Sequence, residues 1–271
     1  MAEEEPVFET TTGPPRIITA ASLFDGHDAA INVMRRLIQS AGAEVIHLGH
    51  DQSAKAVVDC AIQEDAHGVA LTSYQGGHVE YFTYIRQLLD EAGCEHIRIF
   101  GGGGGTITPP EIKTLHESGI SKIYSPDDGR TMGLMGMIHH LMGIASEVDL
   151  IHPDRIASLS GPVTPEDTAK VGLLLTMSES ADDKTFKSTL EQCRSSEKEV
   201  PVIGFTGTGG AGKSSLLDEL MLRILRDNPG KKVCLLCVDP TRKRTGGALL
   251  GDRIRMNSLS NNDLYMRSLA S

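Results

Sequence analysis

The sequence lacks a basic excess, a long apolar run and a cysteine framework, and each absence removes a class of function. Its 271 residues carry 26 Lys and Arg against 36 Asp and Glu, a formal net charge of -10. A chain this acidic does not make its living by neutralising nucleic-acid phosphates. No stretch approaches the roughly 20 apolar residues of a membrane span. The first fifteen residues, MAEEEPVFETTTGPP, are acidic and have neither the basic nor the apolar region of a secretory signal. The five cysteines, Cys60, Cys94, Cys193, Cys234 and Cys237, are odd in number and scattered, as expected of reduced thiols in the cytoplasm. Cys234 and Cys237 fall three apart in an apolar run; in a strand they face opposite sides, so no thiol pair or metal site is expected there.

What is present is alternation. Strand patterns at Arg16–Ser22, Ala43–Gly49, Gly68–Tyr74, His96–Gly102 and Ile120–Pro126 are separated by helical patterns at Ala29–Ser40, Ala54–Gln63, Val79–Glu91, Glu111–Ser118 and Thr131–Met142. Five such units predict a doubly wound, flavodoxin-like parallel sheet over residues 16–145, preceded by a disordered tail over 1–15. Residues 146–199 are poorer in apolar β-branched runs and read as a partly helical linker, with a helix start at Thr164-Pro165-Glu166-Asp167. A second α/β pattern fills 200–271: a strand at Val200–Phe205, a helix at Lys213–Arg226, a strand at Lys232–Val238 and another beginning at Leu264–Met266. With three strands only, it is expected to be an incomplete P-loop NTPase domain.

Gly207-Thr208-Gly209-Gly210-Ala211-Gly212-Lys213-Ser214 matches G-x-x-x-x-G-K-[ST] between an apolar run and a helix pattern. Glycines let successive backbone N–H groups face phosphates, and the helix N-terminus adds its positive end. Lys213 would reach the β- and γ-phosphates, and the Ser214 hydroxyl would ligate Mg2+. Asp239, in Val238-Asp239-Pro240, offers a carboxylate at the end of a neighbouring strand. Guanine or adenine specificity does not follow from these residues.

In the first unit, strand one runs into Asp25-Gly26-His27. A carboxylate two residues from an imidazole can fix its tautomer and leave the other ring nitrogen free for a metal. Strand three ends in Thr72-Ser73-Tyr74-Gln75-Gly76-Gly77-His78, and strand four in five glycines, Gly101 to Gly105, a bare backbone suited to close approach by a bulky ligand. Three short motifs stand in register: D-x-H-x-x-(G) at 25–30, (S)-x-(L) at 72–74 and G-G at 101–102. Their order and spacing resemble the cobalamin-binding module of adenosylcobalamin-dependent mutases and methionine synthase. Asp25, His27 and Gly101-Gly102 match; Ala30, Thr72 and Tyr74 replace the Gly, Ser and Leu. The resemblance implies that His27 is the lower axial cobalt ligand, that Asp25 tunes it, and that the displaced dimethylbenzimidazole tail enters between Thr72 and Gly101-Gly102.

The second unit resembles the GTPases that accompany methylmalonyl-CoA mutase, through Gly207–Ser215, Val238-Asp239-Pro240 and the segment from Thr245 to Met256. That likeness implies nucleotide contacts from Gly209, Gly210, Ala211, Gly212, Lys213, Ser214, Ser215 and Arg255, and Mg2+ held at Ser214, Val238, Asp239 and Asp252. The order of the two units resembles the start of the fused isobutyryl-CoA mutases, whose Asp-Gly-His-Asp-Ala-Ala variant it shares. Implied are the cofactors adenosylcobalamin, Mg2+ and GTP, a GTP-gated loading step, an acyl-CoA substrate bound by a domain absent here, a homodimer in the full-length protein, and no mutase activity in these residues alone. Two rivals stand beside it: a non-catalytic cobalamin carrier or sensor with a nucleotide switch, and a metal-insertion GTPase using His27, His47 and His50. Against the second, a bare ion needs ligands and not a cleared tunnel. His139-His140, adjacent on a helix, read as surface or interface residues.

Overall fold

The computed structural model describes residues 6–194, 200–239 and 247–270. Its first half alternates β1 (Arg16–Ser22), α1 (Asp28–Ser40), β2 (Glu44–Gln52), α2 (Ala54–Gln63), β3 (Gly68–Thr72), α3 (His78–Glu91), β4 (Arg98–Gly102), α4 (Pro109–Glu117), β5 (Lys122–Tyr124) and α5 (Pro126–Ser146). β1 and β3 are buried along their whole length, as the strands of a sheet covered on both faces must be. One face packs on α2 and α3 through Ile18, Val58, Phe82 and Ile99. The other packs on α1 and α5 through Ile17, Ile38, Phe100 and Leu141. Caps mark the helix starts: Ser53 accepts from the Ala56 amide, and Ser125 with Asp128 forms a reciprocal capping box.

All pairings in this sheet are parallel, in the order β5-β4-β3-β1-β2-β7, where β7 is Ala248–Leu250. The first five strands have the flavodoxin-like order, so β1 and β3 flank the point at which the winding reverses. α5 is broken at Gly133 (φ 67°, ψ 174°), a conformation that glycine alone adopts easily.

Residues 146–194 are more ordered than a linker. α6 (Pro153–Ala157), α7 (Thr168–Ser180) and α8 (Asp183–Cys193) enclose a small core of Leu159, Leu173, Met177 and Cys193. The helix expected to start at Thr164 starts at Thr168 instead. Thr164 donates to Asp167 from its amide and its hydroxyl, a turn that delays the helix. Residues 8–14 are likewise docked, not a free tail: the Thr10 and Thr12 hydroxyls meet His67 Nε2 at 3.2 and 3.4 Å, and Phe8 packs against His139.

In the second half, α9 (Lys213–Asp227) packs on a parallel pair, β6 (Val233–Asp239) and β8 (Leu264–Ala270), with two 3-10 turns at Arg253–Arg255 and Asn257–Ser260. The strand expected at Val200–Phe205 is absent. That segment is irregular, and Val202 is 93% exposed. Among the described residues β6 and β8 pair with each other and 200–205 joins neither free edge, so its apolar side chains pack into no sheet. Cys234 is exposed while Cys237 turns into the α9 core, the opposite-face arrangement expected of the pair. Pro240, Thr245 and Gly246 lie outside the described residues.

Candidate functional site

The loop after β1 and the loop after β3 meet at the switch point, and one carboxylate joins them. Asp25 is fully buried. Its Oδ1 accepts from the His27 amide at 2.9 Å and meets His27 Nδ1 at 2.7 Å, while its Oδ2 accepts from the Tyr74 amide at 2.6 Å. Burial alone would raise its pKa; the Tyr74 and His27 amides and the imidazole outweigh it and hold the carboxyl below its ordinary value. An ionised Asp25 can only accept, so Nδ1 donates to it and Nε2 is the ring nitrogen left without a partner in this turn, on a side chain that is 61% exposed. The Tyr74 ring stands 5.6 Å from the imidazole.

Beside this turn a cavity of about 250 Å³ opens between the sheet and α1 and α5, lined by Ile31, Met34, Thr72, Tyr74, Gly101 to Gly104, Tyr124 and Met137 among others. The Thr72 hydroxyl is buried here without a hydrogen-bond partner. An orphaned hydroxyl at the wall of a mostly apolar cavity fits a flat heteroaromatic ligand that brings its own polar atom.

The glycines have separate jobs. A methyl at Gly101 would lie 2.5 Å from Phe82 Cζ, on the helix side, and one at Gly103 would lie 1.9 Å from the Ser73 carbonyl oxygen; one at Gly102 would meet nothing nearer than 3.5 Å, and one at Gly105 nothing at all. Gly101 and Gly103 are thus required by the protein's own packing. A second cavity, about 380 Å³, sits at the amino ends of β1 and β2, but its Arg16 and Arg267 are already paired with Glu44 and Glu179.

The phosphate-loop residues lie at the start of α9. Gly210 and Gly212 take positive φ, at 78° and 81°, and no neighbour crowds them or Gly209. Lys213 Nζ donates to the carbonyls of Gly207 and Thr208 at 2.8 and 3.0 Å, so the lysine is folded over its own loop. Ser214 Oγ donates to Asp252 Oδ1 at 3.2 Å. Asp239, the last residue of β6, has a raised pKa, from burial first and from the charge of Asp252 second, with Arg255 acting against both. Asp239 and Asp252 repel each other, and Asp252 is bonded to the loop serine; a cation placed near them would relieve that repulsion. Ala211, Ser215 and Arg255 are exposed around it, and Val238, 62% exposed, precedes Asp239. No cluster of three or more His, Cys, Asp or Glu that could hold a metal occurs among the described residues. A hard divalent ion here would draw on these two carboxylates, the serine and the nucleotide itself. His47 and His50 do not converge on His27: His47 is buried against Thr19, 3.0 Å from its hydroxyl.

The model of the B12 binding domain family matches residues 15–123, and that of the methylmalonyl Co-A mutase-associated GTPase MeaB matches residues 171–271. A fused isobutyryl-CoA mutase of Geobacillus kaustophilus is 52% identical over 263 residues, covering 94% of this chain and 24% of its own length. One from Nocardia farcinica is 51% identical over 261 residues, 95% of this chain and 24% of its own. Over nearly all of its residues the chain is thus similar to a part of the fused isobutyryl-CoA mutases. It spans about a quarter of the length of these curated relatives. The 2-hydroxyisobutanoyl-CoA mutase small subunit of Aquincola tertiaricarbonis, 34% identical over 115 residues, is covered over 82% of its length.

Several site residues have no signal in the sequence. Tyr74 is visible only as a departure from the expected Leu, yet its backbone amide, which any residue but proline supplies, completes the hold on Asp25. Asp51, whose Oδ1 accepts from the Phe24 amide at 2.7 Å, belongs to no motif. Glu64 and Arg253, 189 residues apart, form a buried ion pair at 2.7 Å that ties α2 to the turn beside Asp252.

Proposed function

We propose that this chain is the adenosylcobalamin-binding and Mg-GTP-binding portion of a cytoplasmic acyl-CoA mutase that interconverts isobutyryl-CoA and butyryl-CoA, with the nucleotide site gating cofactor loading. The observation that carries the reading is the Asp25 carboxylate shared between His27 Nδ1 and the Tyr74 amide, which leaves Nε2 exposed at the switch point beside a cavity with an orphaned hydroxyl. His27 would hold cobalt, and Asp25 would keep the ring in the required tautomer and orientation. Thr72 and the bare backbone at Gly102 would receive the displaced dimethylbenzimidazole. When bound, adenosylcobalamin supplies a weak cobalt–carbon bond for radical rearrangement of a carbon skeleton; the protein supplies position, ligation and exclusion of water.

At the second site, Lys213 would release its own loop carbonyls to reach nucleotide phosphates, and Ser214 with Asp239, Asp252 and the Val238 segment would surround Mg2+. The acyl-CoA would be bound by residues beyond this chain, in a homodimeric assembly. Paramagnetic resonance of the cob(II)alamin-loaded chain tests the ligand. With histidine labelled by 15N, the nitrogen splitting of the cobalt signal should change from triplet to doublet; an unchanged triplet would mean that the cofactor keeps its own base. For the nucleotide, Lys213→Ala should weaken binding of a fluorescent GTP analogue at least about tenfold, the scale of one charge-assisted hydrogen bond. Equal binding by variant and wild type would remove the site.

A further inference from the structure

We propose that residues 49–51 of β2 position the cobalt-ligand turn and carry the state of the nucleotide site to it, with Ile254 and Asp51 as the positioning residues. The inference rests on the function proposed above. It starts from Phe24, which holds φ at 62°, a region a bulky side chain enters only when its surroundings impose it. What imposes it is Asp51: its carboxylate takes the Phe24 amide, and it too has positive φ, at 58°. The next residue, Asp25, is thereby turned inward to its three hydrogen bonds, and His27 outward.

β2 is irregular at this place. The pairing of β1 with β2 runs in step to Thr19 and His47, then skips to Ala20 with Gly49 and to Ser22 with Gln52. Such bulges re-aim side chains and tend to sit beside sites. Gly49 holds φ at 89°, and its bare face is covered by Ile254: a methyl there would lie 2.9 Å from Ile254 Cδ1. Ile254 stands in the turn Arg253–Arg255, whose amino-terminal side is anchored twice. Asp252 accepts from the phosphate-loop Ser214, and Arg253 is locked to the buried Glu64. A cation that draws Asp252 toward the phosphates therefore pivots the turn about Arg253. Ile254 then shifts on Gly49, and the shift reaches Phe24 and His27 through Asp51. A contiguous contact chain couples two sites only if it has two arrangements, and the experiment asks for both.

Adenosylcobalamin is titrated into the full chain alone and with a saturating non-hydrolysable GTP analogue, and the ratio of the two dissociation constants is the coupling. The wild type should give a ratio displaced from one by at least about fivefold, and the affinity for the analogue should shift by the same factor when cobalamin is present. Ile254→Ala should bring the ratio within about twofold of one, while each ligand alone binds within about threefold of wild type; Asp51→Ala should lose the coupling and also weaken cobalamin binding alone by more than about threefold, because it frees the turn that carries His27. Asp51→Asn, which keeps an acceptor for the Phe24 amide and tolerates positive φ, should preserve the coupling. Should the alanine variants melt early, Ile254→Val must still bring the ratio closer to one. Binding of both ligands by wild type with a ratio of one, or an unchanged ratio in the variants, overturns the proposal and leaves the functional reading standing. Failure of wild type to bind either ligand overturns that reading, and this inference with it.

Discussion

Glu64 is the residue on which most buried charge converges. Its carboxylate is inaccessible to solvent and accepts from Arg253 Nε at 2.7 Å and from the Ser268 amide and hydroxyl at 3.0 Å. Burial would raise its pKa, but Arg253, Arg267 and Arg16 outweigh that and lower it. Removing the carboxylate leaves guanidinium groups buried without their partner, so Glu64→Ala should cost about 3–5 kcal/mol in denaturant unfolding. A loss no larger than about 0.5 kcal/mol, the scale of an ordinary surface substitution, would mean that the network is solvated and not structural. Two histidines act in the opposite sense. Burial lowers His47 from 6.5 to about 4 and His67 to about 3, with neighbouring Arg35 and Arg16 adding to it. Each is neutral in the fold and takes up a proton more readily unfolded, so its stabilisation is whole above pH 6.5 and is lost as pH falls toward its folded value. The depressed Asp25, Asp65 and Glu64 lose theirs only below about pH 4. Unfolding free energy should therefore fall from about pH 6.5 downward by up to about 1.4 kcal/mol per pH unit for each histidine. His47→Gln should flatten that slope; an equal slope in the variant would assign the loss elsewhere.

At the scale of elements, the glycine run after β4 gives a graded test. Gly101→Ala drives a methyl into Phe82 and Ile123, and Gly103→Ala drives one into the Ser73 carbonyl. Each should destabilise by about 1–3 kcal/mol, and Gly103→Ala more than Gly101→Ala because backbone cannot yield. Gly105→Ala meets open space and should stay within about 0.5 kcal/mol of wild type. Equal melting temperatures for all three would mean that the run is a loose turn. Much of this architecture is legible from periodicity. β1 and α2 have the ends that the sequence pattern predicts, because both are bounded by sharp signals: Pro15 before one, and the Ser53 cap before the other. α5 begins at Pro126, ahead of its helical pattern, because Ser125-Pro126-Asp127-Asp128 caps a first segment that Gly133 separates from the second. The strand expected at 200–205 does not form because apolar composition carries no information about the edge that must receive it. β7 leaves no signal because Ala248–Leu250 is too short for a period, and its partner Glu44–Ile46 belongs to the other half of the chain.

At the scale of the whole molecule, two sites sit on one continuous body. β7 extends the cobalamin-module sheet, and Arg253 and Arg267 of the second half reach Glu64 and Glu179 of the segments before it. The motif positions can be read from spacing, since each depends on a local turn and a local residue type. The connections between them cannot, because ion pairs such as Arg253 with Glu64 carry no local signature. His27, held by Asp25, is proposed to be a ligand to cobalt. Visible absorption during titration with adenosylcobalamin, for wild type and His27→Ala, tests it most directly. Wild type should bind with the dimethylbenzimidazole displaced and a histidine-ligated spectrum, and the variant should lose affinity or show a spectrum without histidine ligation. A wild-type spectrum unchanged from the free cofactor, with no binding in equilibrium dialysis, would contradict it.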